Sequence, residues 1–384
     1  MKDNTVVTHA GNRPFENYGI VNPPVYHAST VLSETLEQRI DRSNAKVRYG
    51  RAGTPTSFAL EEAMTALEQA HGTVLAPSGL AAITMALCAF VETGDHILVT
   101  DSTYTPTRNF SNGVLKRLGV ETEYFDPLIG AGIAELIRDN TRVIWTECPG
   151  SQTFDVQDLP AIVEAAHARD VVVMTDNTWS GGYFRKPLAE GVDISVQAAT
   201  KYIVGHSDVM MGTIACNEAT YEQVRSSSSS YGMCCGPDDI YLALRGLRTI
   251  GVRMDRHFEN GVKLAEWLQS RPEVTRVMHP ALPQDPGHEI WKRDFTGASG
   301  LFGFVLEENN RDKLSAMMNH MELHGMGSSW GGYESLLIPS WPEQSRTATS
   351  WDVPGQCMRI HVGLEDPDDL IADLEAGFER MNKA

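Results

Sequence analysis

The sequence predicts an α/β fold: a mostly parallel sheet with helices on both faces, followed by a smaller α+β unit. Three observations lead there. Between residues 54 and 246, short β-branched apolar runs alternate with amphipathic helical stretches, as buried parallel strands and their crossover helices do. The alternation stops after Arg245-Gly246-Leu247-Arg248. A chain of 384 residues also exceeds what one hydrophobic core usually serves.

Residues 1–53 are rich in Asn, Pro, Gly and Ser with little periodicity. They read as an extended arm that needs another surface, most simply a neighbouring subunit. Residues 54–246 form the main domain. Apolar residues at helical spacing predict helices over 57–69 and 83–92. Strands are predicted at 96–100, 122–125, 143–146 and 171–175, with a further run, Asp193-Ile194-Ser195-Val196-Gln197, beyond them. Residues 226–230 are a serine run, read as a flexible turn or a frayed helix end. The 247–384 domain opens with an amphipathic stretch over 252–270, holds a strand at 300–306, and closes with a helix over 367–382.

Composition excludes several classes. Asp and Glu number 50 against 32 Lys and Arg, a net charge of −18. That argues against nucleic acid or anionic membrane as a partner, because phosphate neutralisation needs clustered cations. No apolar run approaches the roughly 20 residues that span a bilayer. Met1-Lys2-Asp3-Asn4-Thr5 lacks the apolar core of a signal peptide, so a cytoplasmic protein is expected. The six cysteines show no C-x-x-C pair and no metal-ligand spacing, and the twelve histidines are scattered. No metal is expected. Cys88 reads as a small core residue, and Cys234-Cys235 as adjacent loop residues.

The chemistry centres on two strand ends. Val171-Val172-Val173-Met174 runs into Thr175-Asp176-Asn177-Thr178, and the run at 193–197 leads to Ala198-Ala199-Thr200-Lys201-Tyr202. Ligands of open α/β sheets bind beyond the carboxyl ends of the strands. A lysine and an aspartate there suit pyridoxal phosphate: the lysine forms a Schiff base with the aldehyde, and the aspartate keeps the pyridine nitrogen protonated. The plainer alternatives are a solvated loop lysine and an aspartate acting as a helix N-cap. Ala76-Pro77-Ser78-Gly79-Leu80-Ala81-Ala82 leads into an apolar helix, whose exposed N–H groups could take a phosphate. Asp101-Ser102-Thr103-Tyr104 offers an aromatic face for a pyridine ring, or ordinary packing. Tyr49-Gly50-Arg51 carries an arginine suited to phosphate. Ser329-Trp330-Gly331-Gly332 is a loop fit to line a pocket. Arg359, inside an apolar strand, needs a counter-anion: a substrate carboxylate or a structural Asp or Glu.

Together these motifs resemble the transsulfuration enzymes of the pyridoxal-phosphate-dependent Cys/Met metabolism family, from Tyr49-Gly50-Arg51 to the closing helix. Phe125-Asp126-Pro127-Leu128-Ile129-Gly130, Gln197-Ala198-Ala199-Thr200-Lys201-Tyr202, residues 288–300 and Gly363-Leu364-Glu365-Asp366 are most similar to the bacterial cystathionine β-lyase branch. The resemblance implies fold-type I, the aspartate-aminotransferase-like architecture with a seven-stranded sheet. It implies that Lys201 carries the cofactor and moves protons, Asp176 pairs with the pyridinium, and Tyr104 stacks on the ring. It further implies that Gly79, Leu80 and Thr200 hold the phosphate together with Tyr49 and Arg51 of a neighbouring subunit. Arg359 would bind the substrate carboxylate beside Ser329 and Trp330. The activity implied is β-elimination of L-cystathionine in methionine biosynthesis, with cysteine and cystine as further substrates, by a homotetramer built as a dimer of dimers. Ala198 stands where many members carry serine, and residues 226–235 match poorly. Two other readings remain: a γ-lyase or γ-synthase, for which Leu at position 330 would be usual, and a catalytically silent cofactor-binding protein.

Overall fold

In the computed structural model, which describes residues 1–384, the main sheet has seven strands. They are β1 (Gly72–Ala76), β2 (His96–Thr100), β3 (Glu121–Phe125), β4 (Thr141–Glu147), β5 (Val172–Asp176), β6 (Ile194–Gln197) and β7 (Gly212–Cys216). Their spatial order is β1-β7-β6-β5-β4-β2-β3. Only β7 runs against its neighbours; the β6-β5-β4-β2-β3 pairings are parallel. Every residue of β1, β2, β6 and β7 is buried, because helices cover both faces of the sheet. The apolar runs at 96–100, 122–125, 143–146, 171–175 and 193–197 became β2 to β6.

Local rules set the helices that frame the site. Pro55 occupies the first helical position of Pro55–Glu68, and Thr54 N donates to Ser57 Oγ at 3.0 Å. The helix Gly79–Cys88 starts earlier than the predicted 83–92, because Ser78 caps it by accepting from Ala81 N at 3.0 Å. It stops before the Gly94 turn, where φ is +95°.

The serine run requires a correction. It is the second half of the helix Tyr221–Ser230, neither a turn nor a frayed end. Val224, 0% exposed, and Ser228, 7%, hold its inner face against the body, so packing overrides the weak helix propensity of serine. Low periodicity also hid the helix Asp3–His9. It docks on its own chain through buried Val7, a 3.0 Å ion pair of Asp3 with Lys186, and Arg248 Nη1 donating to the Val7 and Ala10 carbonyls at 2.6 and 2.8 Å. Past it the segment is open, with Tyr18, Ile20, Val21, Leu32, Leu36 and Ile40 all exposed.

After the helices Pro237–Leu247 and Ile250–Gln269 comes a second sheet of β8 (Val274–Met278), β9 (Leu301–Leu306), β10 (Leu336–Pro339) and β11 (Gln356–His361). It is antiparallel, in the order β10-β11-β9-β8. The closing helix Pro367–Lys383 lies over it, with Phe378 stacked on Trp267 at 5.8 Å.

Candidate active site

A cavity of about 690 Å³ opens between the carboxyl ends of the main-sheet strands and the segment before β10. Gly79, Leu80, Tyr104, Asp176, Thr200, Lys201, Ser329, Trp330 and Arg359 all line it. Tyr49 and Arg51 do not. The Tyr49 hydroxyl lies 3.4 Å from Ser29 Oγ, and Arg51 Nη1 donates to Ser229 O at 3.0 Å, beside a separate cavity of about 590 Å³ bordered by Cys234 and Cys235.

Asp176 is the last residue of β5, and the strand register sets it beside Glu147 of β4 and Val196 of β6. Asp176 Oδ1 accepts from Thr178 N at 2.9 Å, and Thr178 Oγ1 accepts from Ala198 N at 2.9 Å, which ties the two strand ends together. Beneath them Glu68, 1% exposed, accepts from Ser195 Oγ at 3.2 Å, from Asn177 Nδ2 at 3.5 Å and from Gln197 Nε2. The helix Pro55–Glu68 is thereby fastened under both strand ends. A buried carboxyl with three donors is well satisfied.

Lys201 lies in the turn that follows β6. Its Nζ donates to Ser329 Oγ at 2.6 Å and stands 5.4 Å from the centre of the Trp330 ring. Burial, then the nearby Arg359 cation, lower its ammonium to about 8 against the pull of Asp176. Burial also raises the Asp176 carboxyl, opposed by its bonds to Thr178 and the charge of Lys201.

Glu147 was not foreseen. Burial and the negative charge of Asp176 push its carboxyl up to about 8, although Tyr104 N donates to Oε2 at 2.6 Å. Two adjacent carboxyls in a closed site do not both ionise readily. Asp176 has the ammonium and the Thr178 amide beside it, so Glu147 is the member that keeps the proton. A signal did exist in the sequence: Glu147 ends the run at 143–146 as Asp176 ends the run at 171–175.

Arg359 has no Asp or Glu partner. Its Nη2 donates to the carbonyls of Ser328, at 2.7 Å, and Ser329, at 3.3 Å, which removes the structural-carboxylate alternative. Burial brings its guanidinium down to about 10. An anion brought to it would relieve that cost. Tyr104 is 45% exposed toward the cavity, and burial followed by the Glu147 and Asp176 charges raises its phenol.

The starting turn of Gly79–Cys88 meets the end of β6 closely. A Cβ on Gly79 would lie 2.4 Å from Ala198 Cβ, so only glycine permits the approach. Thr200 Oγ1 accepts from Met211 N at 2.9 Å and donates to Met211 O at 3.2 Å, which fixes the hydroxyl at the cavity wall. These residues fit pyridoxal phosphate: a depressed lysine amine, an aspartate with a protonated glutamic acid on the adjacent strand end, an aromatic face, and a helix N-terminus with its capping serine share one cavity. No group of three or more His, Cys, Asp and Glu is arranged to hold a metal. No helix is long and apolar enough to cross a membrane.

A putative cystathionine β-lyase of Rhizobium johnstonii is 50% identical over 98% of this chain and 95% of its own length. Cystathionine β-lyase MetC of Escherichia coli K12 is 46% identical over 99% of both chains. The crystal structure of cystathionine γ-lyase from Lactobacillus plantarum in complex with L-serine superposes with a TM-score of 0.90 over 100% of both chains, at 29% identity. The profile of one family, described as Cys/Met metabolism PLP-dependent enzyme, matches residues 4–379, and the chain belongs to that family.

Proposed function

We propose that this enzyme is a pyridoxal-phosphate-dependent carbon–sulfur lyase that splits the Cβ–S bond of L-cystathionine, giving homocysteine, pyruvate and ammonia. The observation that carries the reading is the convergence of Lys201, Asp176 and a carboxylate-free Arg359 in one cavity. Its similarity to two β-lyases at 46 and 50% identity, against 29% for the γ-lyase, favours β- over γ-elimination.

Pyridoxal phosphate, when bound, supplies an aldehyde that links to amines and a ring that draws in the electron pair left at Cα. Lys201 would carry it, flanked by Asp176 at the pyridine nitrogen, Tyr104 on the ring face, and Gly79, Leu80 and Thr200 toward the phosphate. With its ammonium lowered to about 8, the Lys201 amine is neutral in a useful fraction near neutral pH, as a base that takes the Cα proton must be. Ser329 Oγ, 2.6 Å from Nζ, holds that amine in place. Arg359 receives the α-carboxylate, and Trp330 limits how the amino acid can turn, aligning the Cβ–S bond for direct departure of sulfur. Supplying cystathionine and measuring pyruvate against 2-oxobutyrate tests the assignment. Pyruvate alone supports it, and 2-oxobutyrate as the main product replaces it with γ-elimination.

The open segment before Thr54 supports a site completed by another copy. Tyr49 and Arg51 lie away from their own cavity and would complete a neighbour's, in a homotetramer acting in the cytoplasm as a dimer of dimers. The main domain would span 54–246 and the smaller one 247–384. Mixing inactive Arg51→Ala and Lys201→Ala chains should restore part of the activity, since one hybrid site is wild type at both positions. No recovery after verified subunit exchange would mean each site is built from a single chain.

A further inference from the structure

Behind Lys201 lies a buried cluster with no part in the chemistry described so far. Tyr202, His257 and His361 are each no more than 1% exposed. Trp330 packs on Tyr202 with ring centres 5.4 Å apart, and the two histidine rings are 5.1 Å apart. Such a cluster could be packing alone, but one of its polar contacts reaches the active-site loop.

His361 Nε2 is 3.1 Å from Gly331 N and 3.2 Å from Gly332 O. A neutral ring nitrogen can accept the first bond or donate the second, according to which nitrogen carries the proton, and cannot do both. In either tautomer the ring fastens the backbone at 331–332. The fastened backbone presses on the catalytic lysine: φ at Gly331 is +82°, and a Cβ there would lie 2.9 Å from the Cα, Cβ and carbonyl carbon of Lys201. Burial, followed by the neighbouring His257 ring and the Arg359 and Lys201 cations, keeps the His361 ring neutral.

Arg359 and His361 are two positions apart on β11 and so share a face of the strand. Arg359 grips the loop before Trp330, at Ser328 O and Ser329 O. His361 grips it after Trp330. These two grips differ in what substrate does to them. On the reading that Arg359 binds the substrate carboxylate, one guanidinium serves both the loop and the substrate, whereas the polar contacts of His361 go to the loop alone. We propose that His361 is a positioning residue for the lyase: it anchors residues 331–332 so that Ser329 and Trp330 stay beside Lys201 while the substrate occupies Arg359.

The test uses the holoenzyme with L-cystathionine. His361→Leu keeps the volume and removes the polar grip; His361→Gln returns an amide whose end reaches the place of Nε2. The Leu variant is expected to lose on the order of 30-fold in kcat/KM, within the roughly 100-fold that a misplacement of about 1 Å can cost, and to release some 2-oxobutyrate. Its bound-cofactor absorbance stays that of wild type, and the Gln variant recovers to within about threefold. If the Leu variant does not fold, His361→Asn against His361→Gln decides. The shorter amide cannot reach the loop, so Asn should be impaired and Gln active. Wild-type kcat/KM and pure pyruvate from the Leu variant overturn the proposal, as do Leu and Gln, or Asn and Gln, impaired alike. A wild-type enzyme that makes no pyruvate overturns the reaction assignment instead, an outcome separate from these.

Discussion

The two walls of the candidate active-site cavity are built differently. On the main-domain side, Asp176 and Glu147 end adjacent parallel strands, and Lys201 follows the next strand on a turn closed by Lys201 N to Ala198 O at 3.0 Å. Backbone register positions these groups, and the Glu68 network buries the support beneath them. On the opposite side, Ser329 and Trp330 sit on an irregular loop whose backbone is held by two side chains, Arg359 and His361. A ladder of strand hydrogen bonds has no cheap alternative arrangement, whereas a loop on two grips can shift when one is taken. The rigid wall suits chemistry common to every substrate, and the strapped loop suits the choice among substrates and bonds.

Breaking the rigid wall should cost most. On the proposed assignment Lys201→Ala removes the proton-transfer group and the covalent attachment point together, so turnover should fall by at least about 10³-fold, given that general acid–base catalysis alone contributes about 10²–10⁴. Steady-state pyruvate release measures it. Residual activity within tenfold of wild type would place the base elsewhere. Asp176→Asn should cost on the order of 100-fold, about 3 kcal/mol of transition-state stabilisation, with the fold retained. An Asn variant near wild-type turnover would remove the electrostatic role of Asp176.

Altering the loop should cost less and change what is made. Trp330→Leu should lower kcat/KM for cystathionine about tenfold, as expected when alignment rather than chemistry is lost. Some 2-oxobutyrate should appear beside pyruvate. If efficiency and product are unchanged, bond choice is set outside the loop, with residues 226–235 the next place to look.

The smallest effect sharpens the electrostatic side of the contrast. In the cofactor-free protein, burial and Arg359 lower Lys201 to about 8. The depressed value means that the neutral amine, the form that reacts with an aldehyde, dominates above about pH 8 and is lost below it. The rate of cofactor uptake should therefore rise with pH and level off near 8. A rate still climbing steeply toward pH 10 would mean that Lys201 keeps an ordinary ammonium.

The rigid wall was also the part most readable in the sequence. Continuous apolar runs at 143–146 and 171–175, and the alternating Ile194 and Val196 within 193–197, announce buried strands, and a charged residue past such a strand is carried to the ligand-binding edge. Glu147 obeys the same rule but is not singled out by it, because an isolated carboxylate gives no hint of the neighbouring carboxyl whose charge keeps it protonated. β1 and β7 went unpredicted, since Gly72-Thr73-Val74-Leu75-Ala76 and Gly212-Thr213-Ile214-Ala215-Cys216 are short and built largely of small residues. Packing made a helix of the serine run at 226–230, which no local pattern shows. The grip of His361 on Gly331 joins residues far apart in sequence and depends on tertiary geometry alone.

Everything assigned to the cavity rests on Lys201 being the residue that carries the cofactor. Borohydride reduction of the holoenzyme, followed by proteolysis and mass mapping, fixes the cofactor to whichever lysine holds it. One modified site is predicted, at Lys201 within Ala198-Ala199-Thr200-Lys201-Tyr202. Cofactor fixed to any other lysine would contradict the assignment of this cavity as the active site.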